Sequence, residues 1–194
     1  MSEQKATFIL ASASPRRSEI LRTLGLDFET IAPEFVEQQG EGEAPADFVT
    51  RAARGKVADV AERAAAGVVI GADTVVVIDG RPLGKPADDE HAREMLRSLS
   101  GRWHAVMTGL AVRDVGSGRE AADHDKTLVR FRDLTDEEIA AYVATGEPLD
   151  KAGAYAIQGR GMLFVEEIAG SYHNVVGLPA TLLQRLLKRI GVEL

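Results

Sequence analysis

The chain has 194 residues, of which 45% are hydrophobic and none is cysteine. That is enough for one well-packed domain, and it excludes disulfides, thiolate metal sites and thiol nucleophiles. Lys and Arg number 23 against 30 Asp and Glu, a formal net charge of −7, which argues against a surface built to bind a nucleic acid polymer by neutralising its phosphates. No apolar stretch approaches about 18 residues, and no basic segment leading into an apolar one opens the chain, so neither a membrane span nor an export signal is expected and the protein reads as soluble and cytoplasmic.

Residues 7–11 (Thr-Phe-Ile-Leu-Ala) read as a short buried strand. The run Ser12-Ala13-Ser14-Pro15-Arg16-Arg17 follows directly, with Ser14 in N-cap position, Pro15 at the first helical position and a helix over 15–24 that stops at Gly25. A helix start with two adjacent arginines is the outline of a phosphate site, because backbone N–H groups, the helix dipole and bidentate guanidinium contacts all favour an anion there. A second strand is expected at 28–32, with Glu34 just beyond it, then a loop at 40–45 and one long amphipathic helix over 46–66. Residues 68–70 and 74–78 are apolar strand material on either side of Gly71-Ala72-Asp73, which reads as a small-residue turn or bulge carrying one carboxylate. Asp79-Gly80 signals a hairpin turn, Gly84-Lys85-Pro86 a stiff loop, and 88–99 a capped helix. Strands over 103–113 and 120–131 flank Gly116-Ser117-Gly118 as a long hairpin, so the sheet is expected to be partly antiparallel. Thr135 and Glu138 form a capping box for a helix to 144. Residues 149–161, rich in small residues and without a period, read as a binding loop, 162–168 as a last strand and 179–190 as a closing helix. With no internal repeat, linker or low-complexity tract, residues 1–194 are expected to form a single domain of the α/β class.

The polar residues at the ends of these elements are Ser12, Ser14, Arg16, Arg17, Glu34, Lys56, Asp73, Thr74 and Lys85. Together they suggest bound phosphates and a divalent metal. Carboxylates at 34 and 73 can share a hard cation through oxygen, the remaining ligands coming from water and substrate phosphate. Asp73, with small neighbours that allow close approach, is the candidate to deprotonate or orient an attacking water. Arg16, Arg17, Lys56 and Lys85 would neutralise charge building on phosphoryl oxygens. Each has a plainer reading: a lone Asp between strands suits a turn, and Lys56, close to Arg51, Arg54 and Arg63, suits a solvated helix face. Lys85, extended by the proline that follows it, is well placed to project from its loop. The four histidines show no zinc-site spacing, and no Walker A run or nucleophile elbow is present.

Seven segments in order carry a resemblance that runs the length of the chain. They are residues 10–17 (Leu-Ala-Ser-Ala-Ser-Pro-Arg-Arg), Gly71-Ala72-Asp73-Thr74, Gly84-Lys85-Pro86, Leu99-Ser100-Gly101, residues 127–131, residues 149–155 with Ile157-Gln158-Gly159, and Val176-Gly177-Leu178-Pro179. The sequence resembles the Maf family of nucleoside triphosphate pyrophosphatases, which hydrolyse a triphosphate to the monophosphate and diphosphate. The resemblance implies a mixed twisted sheet flanked by helices, in two lobes around a deep cleft as in inosine triphosphate pyrophosphatases, in proteins that are often homodimers and depend on a divalent cation (Mg, Mn or Co). It implies Asp73 as proton acceptor, Arg16, Thr74 and Gln158 at positions of substrate selection, and Ser12, Arg17, Glu34, Lys56 and Lys85 at positions that hold phosphates and metal. Asp73-Thr74 with Ile157-Gln158-Gly159 is similar to the branch acting on dTTP and UTP, and Gln158 offers the donor and acceptor that a uracil or thymine edge needs. Two alternatives stand beside it: the same fold acting on 7-methyl-GTP or inosine-type purine nucleotides, and a non-hydrolysing nucleotide-binding regulator of cell division.

Overall fold

The computed structural model describes residues 7–194. The buried strand β1 (Phe8–Ala11) pairs in parallel with β2 (Phe28–Thr30) on one side and β3 (Val68–Ile78) on the other, with Leu10 opposite both Thr30 and Ile70. Parallel neighbours need crossovers, and α1 (Pro15–Thr23) and α2 (Pro45–Arg63) supply them. β4 (Arg81–Leu83) folds back antiparallel on β3 after the Asp79-Gly80 turn. The helix α3 (Asp89–Leu99) leads to the neighbouring strands β5 (Trp103–Asp114) and β6 (Glu120–Phe131), joined by a turn in which Asp114 N donates to Arg119 O at 2.9 Å. α4 (Asp136–Val143) opens with the expected capping box, formed in full by Thr135 and Glu138. β7 (Val165–Ala169) pairs antiparallel with β6, and α5 (Tyr172–Val176) and α6 (Ala180–Arg189) complete the chain. The strand order β2-β1-β3-β5-β6-β7, with β4 on β3, makes the mixed α/β sheet that the sequence predicts. Among the described residues no helix is long and apolar enough to cross a membrane.

The chain divides into two compact units, and β3, β5 and β6 each give residues to both. The first unit holds residues up to 73, 108–125 and 177–194. Its core forms where α2 lays Ala53, Val57 and Val60 on Ile9, Ala11, Val69 and Ala111. These helix positions recur at the three- and four-residue spacing that keeps them on one face. The second unit holds residues 74–107 and 126–176. Its centre is aromatic: Phe131 meets His104, Tyr155 and Phe164 edge to face, with ring centroids 4.7 to 5.9 Å apart, an arrangement favoured by the ring quadrupoles.

Three expectations change. Gly71-Ala72-Asp73 does not interrupt the sheet, since β3 runs unbroken from 68 to 78. The small residues there serve packing: a Cβ at Gly71 would lie 2.7 Å from Val57 Cγ2 and 3.0 Å from Ala53 O, so glycine is what lets α2 lie so close. The stretch read as an irregular loop is instead a series of 3-10 turns, Glu147–Asp150, Ala152–Ala154 and Gly159–Phe164, the last of which takes the first three residues assigned from sequence to the final strand. The short α5 has no counterpart in the sequence reading; at five residues it is too brief to show a period.

Candidate active site

Asp73 projects from β3 onto the face covered by α2, two residues along from Gly71 as strand alternation requires. Lys56 reaches it from α2: its Nζ lies 2.7 Å from Asp73 Oδ1 and donates to Ala72 O at 3.2 Å. Both residues are only 5% exposed. Lys56 is therefore not on the solvated face its arginine neighbours suggested. It follows Ala52 and Ala53 at helical spacing, so it lies in the buried stripe, and its ammonium is satisfied there by oxygens.

A second carboxylate completes the group, and it is Glu37. Glu37 Oε1 lies 2.5 Å from Lys56 Nζ, so Glu37 and Asp73 share one ammonium. Glu34, the carboxylate chosen from sequence, has a side chain 83% exposed, 3.8 Å from Arg63, while its backbone N–H donates to Asp59. Two residues before Glu37, the Phe35 ring packs directly on α2 at Gly55: a Cβ at 55 would lie 2.4 Å from that ring. The following loop is tied down by Arg51, which donates to both Glu43 carboxylate oxygens and to Gln38 O.

The two carboxylates are driven apart in acidity. Burial raises Asp73, with Lys56 opposing and the charge of Glu37 adding, and the net direction is upward. Burial also raises Glu37, but the hydrogen bond and charge of Lys56, the hydrogen bond with Asp73 and the charge of Arg17 outweigh it, leaving Glu37 below the usual carboxylate range. A pair of acids separated in this way by their surroundings is the pattern expected where one of them moves a proton.

Arg17 of α1 is half-buried and held at two points: Nη1 donates to Ser12 Oγ at 3.1 Å and Nε to Gly177 O at 2.9 Å. Ser12 Oγ also accepts from Ser14 N at 3.1 Å, so the buried Ser12 organises the turn. Ser14 takes the N-cap position with extended backbone, yet its side chain makes no capping hydrogen bond. The expected position is right, but the serine that serves the turn is two residues earlier. Arg16, in the first turn of the helix, is half-exposed.

Thr74, Lys85 and Gln158 belong to the second unit. Thr74 follows Asp73 on β3 and is half-buried, its side chain on the opposite sheet face. Lys85 is exposed in the loop after β4, and that loop is joined to the 3-10 segment by Gly153 N donating to Gly84 O at 3.0 Å. Gln158 is half-buried and takes the N-cap position of the turn Gly159–Phe164 without a side-chain capping hydrogen bond.

The donor set at Asp73 and Glu37 suits a hard divalent cation of the kind the family resemblance implies. Two carboxylates already converge on one positive group, Lys56 Nζ, and among the described residues no cluster of three or more His, Cys, Asp or Glu offers a complete cage. Such an ion takes roughly six oxygens, so two carboxylates would leave its other positions to water and substrate phosphate.

The chain has relatives among known proteins. The chain is 48% identical over 192 residues, 98% of its length and 99% of the relative's, to the dTTP/UTP pyrophosphatase of Dictyoglomus thermophilum. It is 50% identical to the dTTP/UTP pyrophosphatase of Geobacter sulfurreducens, covering 97% of this chain and 98% of that one. Among solved structures, the Ham1 protein of Staphylococcus aureus is similar in fold, with a TM-score of 0.53 at 17% identity over 94% of this chain and 98% of that one. The family described as Maf-like protein matches residues 7–190, a span that contains both carboxylates, Lys56 and the Ser12–Arg17 turn, and the chain belongs to that family.

Proposed function

We infer that this chain is a nucleoside triphosphate pyrophosphatase that hydrolyses dTTP and UTP, in the free nucleotide pool of the cytoplasm, to the monophosphate and diphosphate. The observation that carries the reading is the meeting of the buried Asp73 and Lys56 with the half-exposed Glu37, two carboxylates of opposite pKa direction on one ammonium. Relatives close to half identical over nearly their whole length, named dTTP/UTP pyrophosphatase, support the substrate class.

In this reading water attacks the α phosphorus, its proton passes to Asp73, and diphosphate leaves with the electron pair of the broken bond to the bridging oxygen. The raised Asp73 is a better proton acceptor near neutral pH than an ordinary aspartate. Arg17, held rigidly by Ser12 and Gly177, and Arg16 in the same helical turn face the charge of the phosphates. The helix start that Ser14 leaves without a side-chain cap suits an anion as acceptor. Lys85 would take a further phosphate oxygen, and Thr74 and Gln158 the nucleoside. Asp73 and Glu37 would hold the divalent cation (Mg, Mn or Co), which when bound supplies charge neutralisation on the phosphates and Lewis acidity.

The experiment is a panel of UTP, dTTP, CTP, ITP and 7-methyl-GTP with Mg²⁺ or Mn²⁺, scored for diphosphate against orthophosphate. UTP and dTTP are expected to give diphosphate, with kcat lower by about 10³-fold in Asp73→Asn. Release of orthophosphate from the γ position overturns the reaction assignment. Turnover of the purine nucleotides but not UTP overturns the base assignment, and binding without turnover of any nucleotide points to a regulator.

A further inference from the structure

The sequence places Lys56 among the cations that neutralise phosphoryl oxygens, but the structure directs its ammonium elsewhere. An ammonium has three N–H groups to donate, and three oxygens stand at distances that take them: Glu37 Oε1 at 2.5 Å, Asp73 Oδ1 at 2.7 Å and Ala72 O at 3.2 Å from Lys56 Nζ. The Lys56 side chain is only 7% exposed, on the stripe of α2 that also buries Ala52, Ala53, Val57 and Val60. To meet a phosphate oxygen the ammonium has to release one of its three partners. Two of those partners are the carboxylates that would hold the divalent cation.

Cation and ammonium therefore call on the same oxygens. A small hard divalent ion takes its ligands at about 2.1 Å, so on Asp73 Oδ1 and Glu37 Oε1 it would stand within a few ångströms of Lys56 Nζ. Like charges repel strongly at that range in a site shielded from water. The charge balance points the same way, since two ionised carboxylates and one ammonium leave a single negative charge to attract a divalent ion. We propose that Lys56 is a positioning residue that competes with the cation: its ammonium holds Asp73 and Glu37 together, and the cation has to displace it from their oxygens. Lys56 thus keeps the two carboxylates converged and at the same time weakens their hold on the ion. This rests on the reading of Asp73 and Glu37 as the residues that hold the cation.

The test titrates Mn²⁺ alone into the full chain as wild type, Lys56→Met, Lys56→Gln and the Lys56→Gln/Asp73→Asn double variant. Bound ion is followed by electron paramagnetic resonance, and the shift that Mn²⁺ produces in the urea midpoint is measured in parallel. Lys56→Gln removes the charge and keeps N–H donors for the carboxylates. It is expected to bind Mn²⁺ about ten-fold more tightly than wild type and to gain more in urea midpoint at the same Mn²⁺ concentration. Lys56→Met is expected to shift in the same direction, and Lys56→Gln carries the measurement should the methionine variant fail to fold. The sign of the change separates the roles open to this lysine. A site that only collapses without Lys56 binds Mn²⁺ more weakly, and a lysine that serves phosphate alone leaves Mn²⁺ affinity unchanged; either result overturns the proposal and leaves the cation reading in place. Mn²⁺ held equally by Lys56→Gln and by the double variant overturns the assignment of the cation to Asp73, and this proposal with it.

Discussion

Asp73 and Gln158 are supported in opposite ways. Asp73 sits within the eleven-residue strand β3 and meets Lys56 from the nineteen-residue helix α2, so its position is set by regular hydrogen bonding and by an apolar core that includes Val57, Val69 and Ala11. Gln158 lies between short 3-10 turns, in a stretch where Gly153 and even Ala154 take positive φ, and the backbone on either side of it donates hydrogen bonds to the side chains of Tyr142 and Glu147. The difference follows the work proposed for each. A group that transfers a proton must be placed to within a fraction of an ångström, and long packed elements do that. A group that reads a base has to reach out from a surface segment, and a few side-chain bonds are enough to hold that segment.

The largest expected effect is on the first region. Asp73→Asn removes about 10³-fold in kcat, as stated above, whereas Gln158→Ala changes preference among bases and leaves diphosphate as the product. Next comes Lys56→Met, which leaves Asp73 and Glu37 facing each other without their ammonium. Breaking a buried pair from one side costs about 3 kcal/mol, with Glu37, half-exposed, contributing the smaller share. The measurement is the urea midpoint, and Asp73→Asn added to Lys56→Met should recover part of the loss.

The second region has its own signature in pH. Burial lowers His104 to about 4, and its Nε2 lies 2.8 Å from the Tyr155 hydroxyl. The unfolded chain binds that proton near pH 6.5 and the folded protein does not, so stability contributed by neutral His104 is fully present above pH 6.5 and is lost as pH falls. By pH 4 the loss is on the order of 3 kcal/mol. His104→Gln, which keeps a polar partner for Tyr155 and cannot titrate, should flatten the urea midpoint between pH 6.5 and 4; an unchanged slope would assign the acid sensitivity elsewhere.

The smallest effect belongs to the loop that delivers Glu37. Gly55→Ala places a methyl against the Phe35 ring while gaining up to about 1 kcal/mol of helix propensity. Overall stability should therefore change little, and kcat/KM at limiting Mg²⁺ should fall by about ten-fold as Glu37 moves. Unchanged kinetics in this variant would mean that Phe35 does not position Glu37.

Much of this was legible in the chain, because it rests on local rules. The strand at Phe8–Ala11, the helix start at Pro15, the capping box of Thr135 and Glu138 and the Asp79-Gly80 turn each follow from residue type and spacing within a few positions. Lys56 could have been found too, since its interval from Ala52 and Ala53 puts it on the apolar stripe of α2; its arginine neighbours obscured that.

Glu37 had no such signal. It lies in an extended segment without period, three residues from an equally plausible Glu34, and which of the two meets Lys56 is settled by packing against a helix reached only after a further loop. The unbroken course of β3 through Gly71 has the same origin, in how closely α2 lies on the sheet. Periodicity and turn chemistry are properties of neighbours along the chain and can be read one segment at a time. The identity of the second carboxylate, the burial of its ammonium partner and the hydrogen bonds on either side of Gln158 are contacts between segments distant in sequence, and packing assigned them.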